Sequence, residues 1–124
     1  MLIFLLILFI GINLDCASQC CVGSAHSGFV QYGKASYYGD EFHGRKTSSG
    51  EVYDKWKYTC AHRELPFGTR VRVTNLSNNK TVVVRVNDRG PFVKGRVIDL
   101  SFVAAREIAM LKAGIVKVKI EVVK

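Results

Sequence analysis

The sequence predicts a mainly β protein: a small closed barrel of about six strands with one or two short helices, preceded by an N-terminal signal segment. Three observations lead there. Three stretches alternate apolar and polar residues with period two, only one stretch carries a helical stripe, and the first twelve residues differ in composition from all that follows. The 124 residues carry a net charge of +8, from 18 Lys and Arg against 10 Asp and Glu, yet residues 1–33 contain neither Lys nor Arg. An apolar front is therefore joined to a basic body. That split excludes a uniform soluble domain, a polytopic membrane protein and a repeat array.

Within residues 1–12 only Gly11 is not strongly apolar. The run is shorter than the ~20 residues a bilayer core requires, but it suits the hydrophobic region of a signal peptide. Small or polar residues follow at Asp15, Ala17 and Ser18, and the segment is assigned to residues 1–19. No basic residue precedes the run. Cys20, after Ala17-Ser-Gln19, is the lipidation candidate, with Cys16 as second choice. Without lipidation, Cys20 or Cys21 has Cys60 as a disulfide partner in an oxidising compartment. No metal site is expected, because no CxxC pair occurs and Cys60-x-His62 with His43 is not a zinc spacing. Residues 20–33, rich in Gly and Ser and containing His26, read as a flexible linker to a single domain at residues 34–124.

Along that body a short strand is expected at residues 35–38 and another at 58–61. Residues 69–74 alternate, with Val71 and Val73 on one face and Arg70 and Arg72 on the other. Residues 80–87 place Val82, Val84 and Val86 together and Val83 opposite, and the turn Ser77-Asn-Asn79 joins these two strands as a hairpin. A short strand follows at 96–99, and residues 116–122 alternate throughout. The helix is expected at 102–112. Ser101 would cap it, Phe102, Ala105, Ile108, Ala109 and Lys112 form its stripe, and Gly114 marks its end. Closing the strands into a barrel removes the sheet edges so small a domain could not otherwise cover.

Three tight loops carry titratable groups: Thr47-Ser-Ser-Gly-Glu51, His62 in the segment 61–69, and Asn87-Asp-Arg-Gly-Pro-Phe92. Gly90 and Pro91 stop the strongest strand abruptly and leave Asp88 and Arg89 at the barrel rim, where small barrels keep functional groups. Each has a plainer reading. Asp88 suits a turn cap or a pair with Arg89, Glu51 a surface turn, and His62 a structural histidine. Asp99 and Glu107 read as structural, near the helix start and on its face. The residues alone give a carboxylate–histidine–carboxylate set and no reaction.

Together these segments resemble the rare lipoprotein A (RlpA) family of septal-ring lytic transglycosylases. The similarity rests on Gly33-Lys-Ala-Ser-Tyr-Tyr-Gly39, Phe42-His-Gly-Arg45, Thr47-Ser-Ser-Gly-Glu51 and Thr59-Cys-Ala-His-Arg63. It continues through Leu65-Pro-Phe-Gly-Thr69, Val73-Thr-Asn-Leu76, residues 82–92 and Ile98-Asp-Leu-Ser101. The resemblance implies a six-stranded double-psi β-barrel. It also implies cleavage of MurNAc-β-1,4-GlcNAc bonds in peptidoglycan glycan strands, with 1,6-anhydroMurNAc ends and no cofactor. Asp88 matches the catalytic Asp, as proton donor and then acceptor, while Glu51 and His62 match the other important polar positions. Glu51 is then expected to stabilise oxocarbenium-like charge and His62 to orient Asp88. Tyr38, Phe42, His43, Asn87 and Arg89 lie in the matching motifs and are the substrate-binding candidates.

The chain departs from the family's pattern at Cys60, where a small residue is usual, and no peptidoglycan-binding repeat follows Lys124, which leaves septal targeting open. A monomer exported to the bacterial envelope, at the periplasm or outer membrane and with a lipid anchor if Cys20 or Cys16 is modified, is the expectation. The alternative function is a non-catalytic, expansin-like barrel that grips wall polysaccharide without cutting it. A nucleic-acid partner is not expected, because the export segment and the missing aromatic ladder argue against it despite the charge.

Overall fold

The computed structural model describes residues 28–124. The signal segment, Cys16, Cys20, Cys21 and His26 lie outside the described residues. Six strands, β1 (Val30–Tyr37), β2 (Thr59–Ala61), β3 (Arg70–Asn75), β4 (Thr81–Asp88), β5 (Arg96–Leu100) and β6 (Val116–Val123), form a closed barrel in the order β1-β5-β2-β4-β3-β6. Among the described residues one α-helix, α1 (Phe102–Glu107), and a 3₁₀ turn at Asp40–Phe42 accompany it. Two contacts, β1–β5 and β2–β4, are parallel, and the other four are antiparallel.

Period-two alternation decides which side chains fill the barrel. Val71 and Val73 of β3, Val84 and Val86 of β4, Ile98 and Leu100 of β5, and Val118 and Ile120 of β6 are all fully buried. Burying each of these contributes about 1.5–3 kcal/mol. The hairpin of β3 and β4 pairs as expected, Val73 opposite Val82 and Val71 opposite Val84. Cys60 sits within this core as a free thiol among the described residues, and burial pushes its pKa up. A disulfide to the N-terminal segment would therefore require the core to open.

Two boundaries differ from the sequence expectation. Strand β1 begins at Val30, inside the stretch read as linker, because residues 30–35 pair with β6 from Glu121 back to Val116. Helix α1 ends at Glu107 rather than 112. The side-chain amides of Asn75 and Asn78 donate to the Ile108 carbonyl, at 2.9 and 3.1 Å, and so occupy an acceptor the next helical turn would use. Ala109 then turns to φ 56°, and Met110 drops fully into the core. Ser101 precedes the helix but makes no side-chain cap, its Oγ instead accepting from the Thr59 N–H at 3.4 Å.

Candidate active site

Strand β4 delivers Asp88 to the barrel rim, where Gly90, at φ 124°, and Pro91 turn the chain away. Three donors converge on its carboxylate. The Tyr38 hydroxyl donates to Oδ2 at 2.5 Å, and Oδ1 accepts from the backbone N–H groups of Ser48, at 2.9 Å, and Arg89, at 2.8 Å. Partial burial pushes Asp88 upward, but the Tyr38, Ser48 and Arg89 hydrogen bonds outweigh it and hold the group below the usual carboxylate range. Tyr38 is fixed in turn by stacking on buried Tyr53, with ring centroids 4.5 Å apart and planes 17° apart. Burial and the neighbouring carboxylate push the Tyr38 phenol up, so it remains a donor at physiological pH.

Asp88 opens onto a groove of about 730 Å³ whose walls include Tyr38, Phe42, Phe92, Asp99 and Ile115. Asp99 enters because the parallel pairing of β5 with β1 puts it beside Ser36, whose hydroxyl donates to its Oδ1. Burial raises Asp99 above the usual carboxylate range, the Ser36 bond opposes that shift, and the charge of Asp88 reinforces it. Two carboxyl groups with opposite tendencies therefore share one groove. Sequence reading had placed Asp99 as structural. Only the barrel's closure shows that it faces the cleft.

The remaining candidates divide. Phe42 lines the groove, its ring edge-on to Tyr38. Glu51 does not share the groove of Asp88: it lines a separate polar recess of about 270 Å³ with Asn87 and Arg85. There it accepts both Arg85 guanidinium donors at 2.8 and 3.0 Å and the Asn87 amide at 3.1 Å, and the Arg85 bonds chiefly hold it low. The two acids are linked through the loop 47–51, which carries Glu51 and also supplies the Ser48 N–H to Asp88.

His62 corrects the expectation that its ring orients Asp88. Its Nδ1 accepts from the backbone N–H groups of Glu64 and Leu65, at 3.1 and 3.2 Å, and its Nε2 meets Gln31 Oε1 at 2.8 Å. Both ring nitrogens are thus committed elsewhere, and burial lowers the pKa and favours the neutral ring. His62 acts on the rim through its backbone, its N–H donating to the Asp88 carbonyl at 3.1 Å. Arg89 likewise ties the loop down, donating to the carbonyls of His62 and Leu65 and lying 4.0 Å over the Phe67 ring. His43 accepts from the Lys55 N–H through Nδ1 and sits edge-on to Tyr53.

Such a barrel, with an aspartate at the end of a strand facing an open groove, matches known proteins over most of its length. The lytic transglycolase family matches residues 30–120, and the chain belongs to that family. Its barrel is a double-psi β-barrel. The chain is 55% identical over 96 residues to the endolytic peptidoglycan transglycosylase RlpA of Vibrio cholerae, covering 77% of this chain and 36% of that one. It is 52% identical over 98 residues to the protein of the same name from Pasteurella multocida, covering 79% and 33%. It is also 59% identical over 92 residues to a probable endolytic peptidoglycan transglycosylase RlpA from Nostoc, covering 73% and 25%. The chain thus spans a quarter to about a third of the length of these relatives. Among solved structures, a Streptomyces papain inhibitor superposes with TM-score 0.64 at 27% identity, covering 78% of this chain and 96% of the other. The apo expansin of Clavibacter michiganensis superposes with TM-score 0.59 at 23% identity, covering 77% and 51%, a likeness of fold alone.

Proposed function

We propose that the protein is an endolytic peptidoglycan lytic transglycosylase, acting outside the cytoplasm as a monomer. The observation that carries this reading is the pairing of an ionised Asp88 with a protonation-prone Asp99 in one open groove. The reaction requires a proton delivered to the glycosidic oxygen and another removed from the muramic acid 6-hydroxyl, which attacks its own C1 while the N-acetylglucosamine 4-hydroxyl leaves. No water is consumed. Asp88, held as a carboxylate by Tyr38, Ser48 and Arg89, accepts the 6-hydroxyl proton, and Asp99 donates its carboxyl proton to the leaving glycosidic oxygen. This divides between two groups what the family resemblance assigned to Asp88 alone.

The positive charge developing at C1 is favoured by the Asp88 carboxylate, while the Glu51–Arg85–Asn87 cluster, in its separate recess, holds the loop 47–51 in place. His62 is a positioning residue, not a proton carrier. Phe42 and Tyr38 offer ring surface to the sugars. Family membership supports the reading, as do the names of relatives at 52–59% identity. The export segment and the lipid attachment at Cys20 or Cys16 belong to the same proposal.

The test is incubation of the folded chain with purified glycan strands and mass spectrometry for anhydro-muropeptides. Asp88→Asn and Asp99→Asn are each expected to lower the yield of anhydro ends about 100-fold or more. Glycan binding without anhydro ends from the unsubstituted protein would establish the expansin-like, non-catalytic alternative instead.

A further inference from the structure

Three concavities on this barrel are contiguous. The groove of Asp88 ends at Ala113 and Ile115, and both residues also line a second hollow of about 420 Å³ that continues to Leu76 and Lys117. Leu76 and Lys117 in turn line a third, of about 380 Å³, that reaches Tyr32 and Lys34 on the outer face of β1 and β6. Ile115, Leu76 and Tyr32 are thus successive exposed apolar stations along one path, and Tyr32 is 63% exposed. Contiguous exposed apolar surface marks a contact site more often than an accident of sequence.

Charge on the path is equally unusual. The antiparallel register sets Lys34 directly opposite Lys117, two like charges side by side on the outer face. Such a pair weakens a sheet, and among the described residues neither lysine has an ion-pair partner. Their placement does nothing for the barrel. It suits a ligand that brings its own anions.

We propose that the glycan strand leaves the cleavage groove over Ile115, crosses Leu76 and lies on the Tyr32 ring, with Lys34 and Lys117 gripping carboxylates on its muramic substituents. The inference rests on the peptidoglycan reading above and extends it from a cleavage groove to a track. Continuity with that groove selects the occupant, because one polymer fills both. Sugar C–H faces stack on the apolar stations, and the lysines read the regularly spaced acid groups that distinguish this polymer from a neutral glucan.

The experiment measures retention on purified sacculi by co-sedimentation, in an Asp88→Asn background so that cleavage plays no part. Lys34→Ser with Lys117→Ser is compared with a charge-matched pair off the track, Lys80→Ser with Lys124→Ser, both exposed residues. Circular dichroism confirms that each is folded. The track pair is expected to weaken retention about tenfold and the off-track pair less than about twofold. The difference should disappear on sacculi whose carboxylates have been amidated. Equal losses from both pairs, no loss from either, a difference that survives amidation, or no retention of the Asp88→Asn chain at all would each overturn the track. Absence of anhydro ends from the unsubstituted chain overturns the proposed reaction alone.

Discussion

The Tyr38 hydroxyl makes the shortest hydrogen bond to the Asp88 carboxylate, at 2.5 Å, beside those from the Ser48 and Arg89 backbone N–H groups. Tyr38→Phe removes that donor while keeping the ring that stacks on Tyr53. A bond to the ionised form favours ionisation, so its loss raises the pKa of Asp88. If Asp88 is the base, the acid limb of the pH profile of kcat/KM moves to higher pH, with activity on that limb falling roughly tenfold and the alkaline side little changed. An acid limb that stays in place would remove Asp88 from the role of base. Sequence reading reached Asp88, Glu51 and His62 because residue type and motif mark them. It missed the Ser48 N–H because a backbone donor has no signature in residue type. It misjudged the His62 ring because ring direction depends on Gln31, a residue of the strand hidden in the supposed linker.

At the scale of elements, period two located β3, β4 and β6, since Val and Ile alternate with Arg, Lys and Thr across them. The start of β1 was concealed because its outward positions, Val30 and Tyr32, are apolar and its inward Gly33 has no side chain, so no alternation is visible. The end of α1 was hidden too, since it depends on amides from the distant β3–β4 turn. Gly33 shows why a glycine belongs within this strand. A Cβ there would meet Val97 Cγ1 at 2.5 Å, and a β-branched neighbour has little freedom to withdraw. Gly33→Ala is expected to cost about 1–3 kcal/mol in urea denaturation. Adding Val97→Ala should recover part of that cost, with a coupling of about 1 kcal/mol between the two sites. Strict additivity would mean that Val97 is not what excludes a side chain at position 33.

The whole molecule depends on where the chain is taken to begin. The boundary read from composition was Lys34, but closure requires β1 to bridge β5 and β6, and its first four residues pair with Glu121 through Val118. A chain beginning at residue 34 would lose those four pairings, the Gln31 side chain that meets His62, and Phe29, which packs against the core and lies edge-on to the His62 ring. An unpartnered buried imidazole nitrogen alone costs about 1–3 kcal/mol. With the ladder and the Phe29 contact, the loss reaches roughly 3–5 kcal/mol, a large share of the ~5–15 kcal/mol that holds a domain folded. A chain of residues 34–124 is therefore expected to melt about 15 °C or more below residues 28–124, with exchange protection lost first along β6. Residues 28–33 carry no charge, so the two chains share the same net charge and a difference in repulsion cannot account for the result. Melting within a few degrees of each other would show that the barrel closes without the first half of β1. The groove offers a second readout of the same truncation. Ser36 and Tyr38, which hold Asp99 and Asp88, stand on and just beyond the C-terminal half of β1, so loosening its N-terminal half should cost cleavage even where the shorter chain still folds.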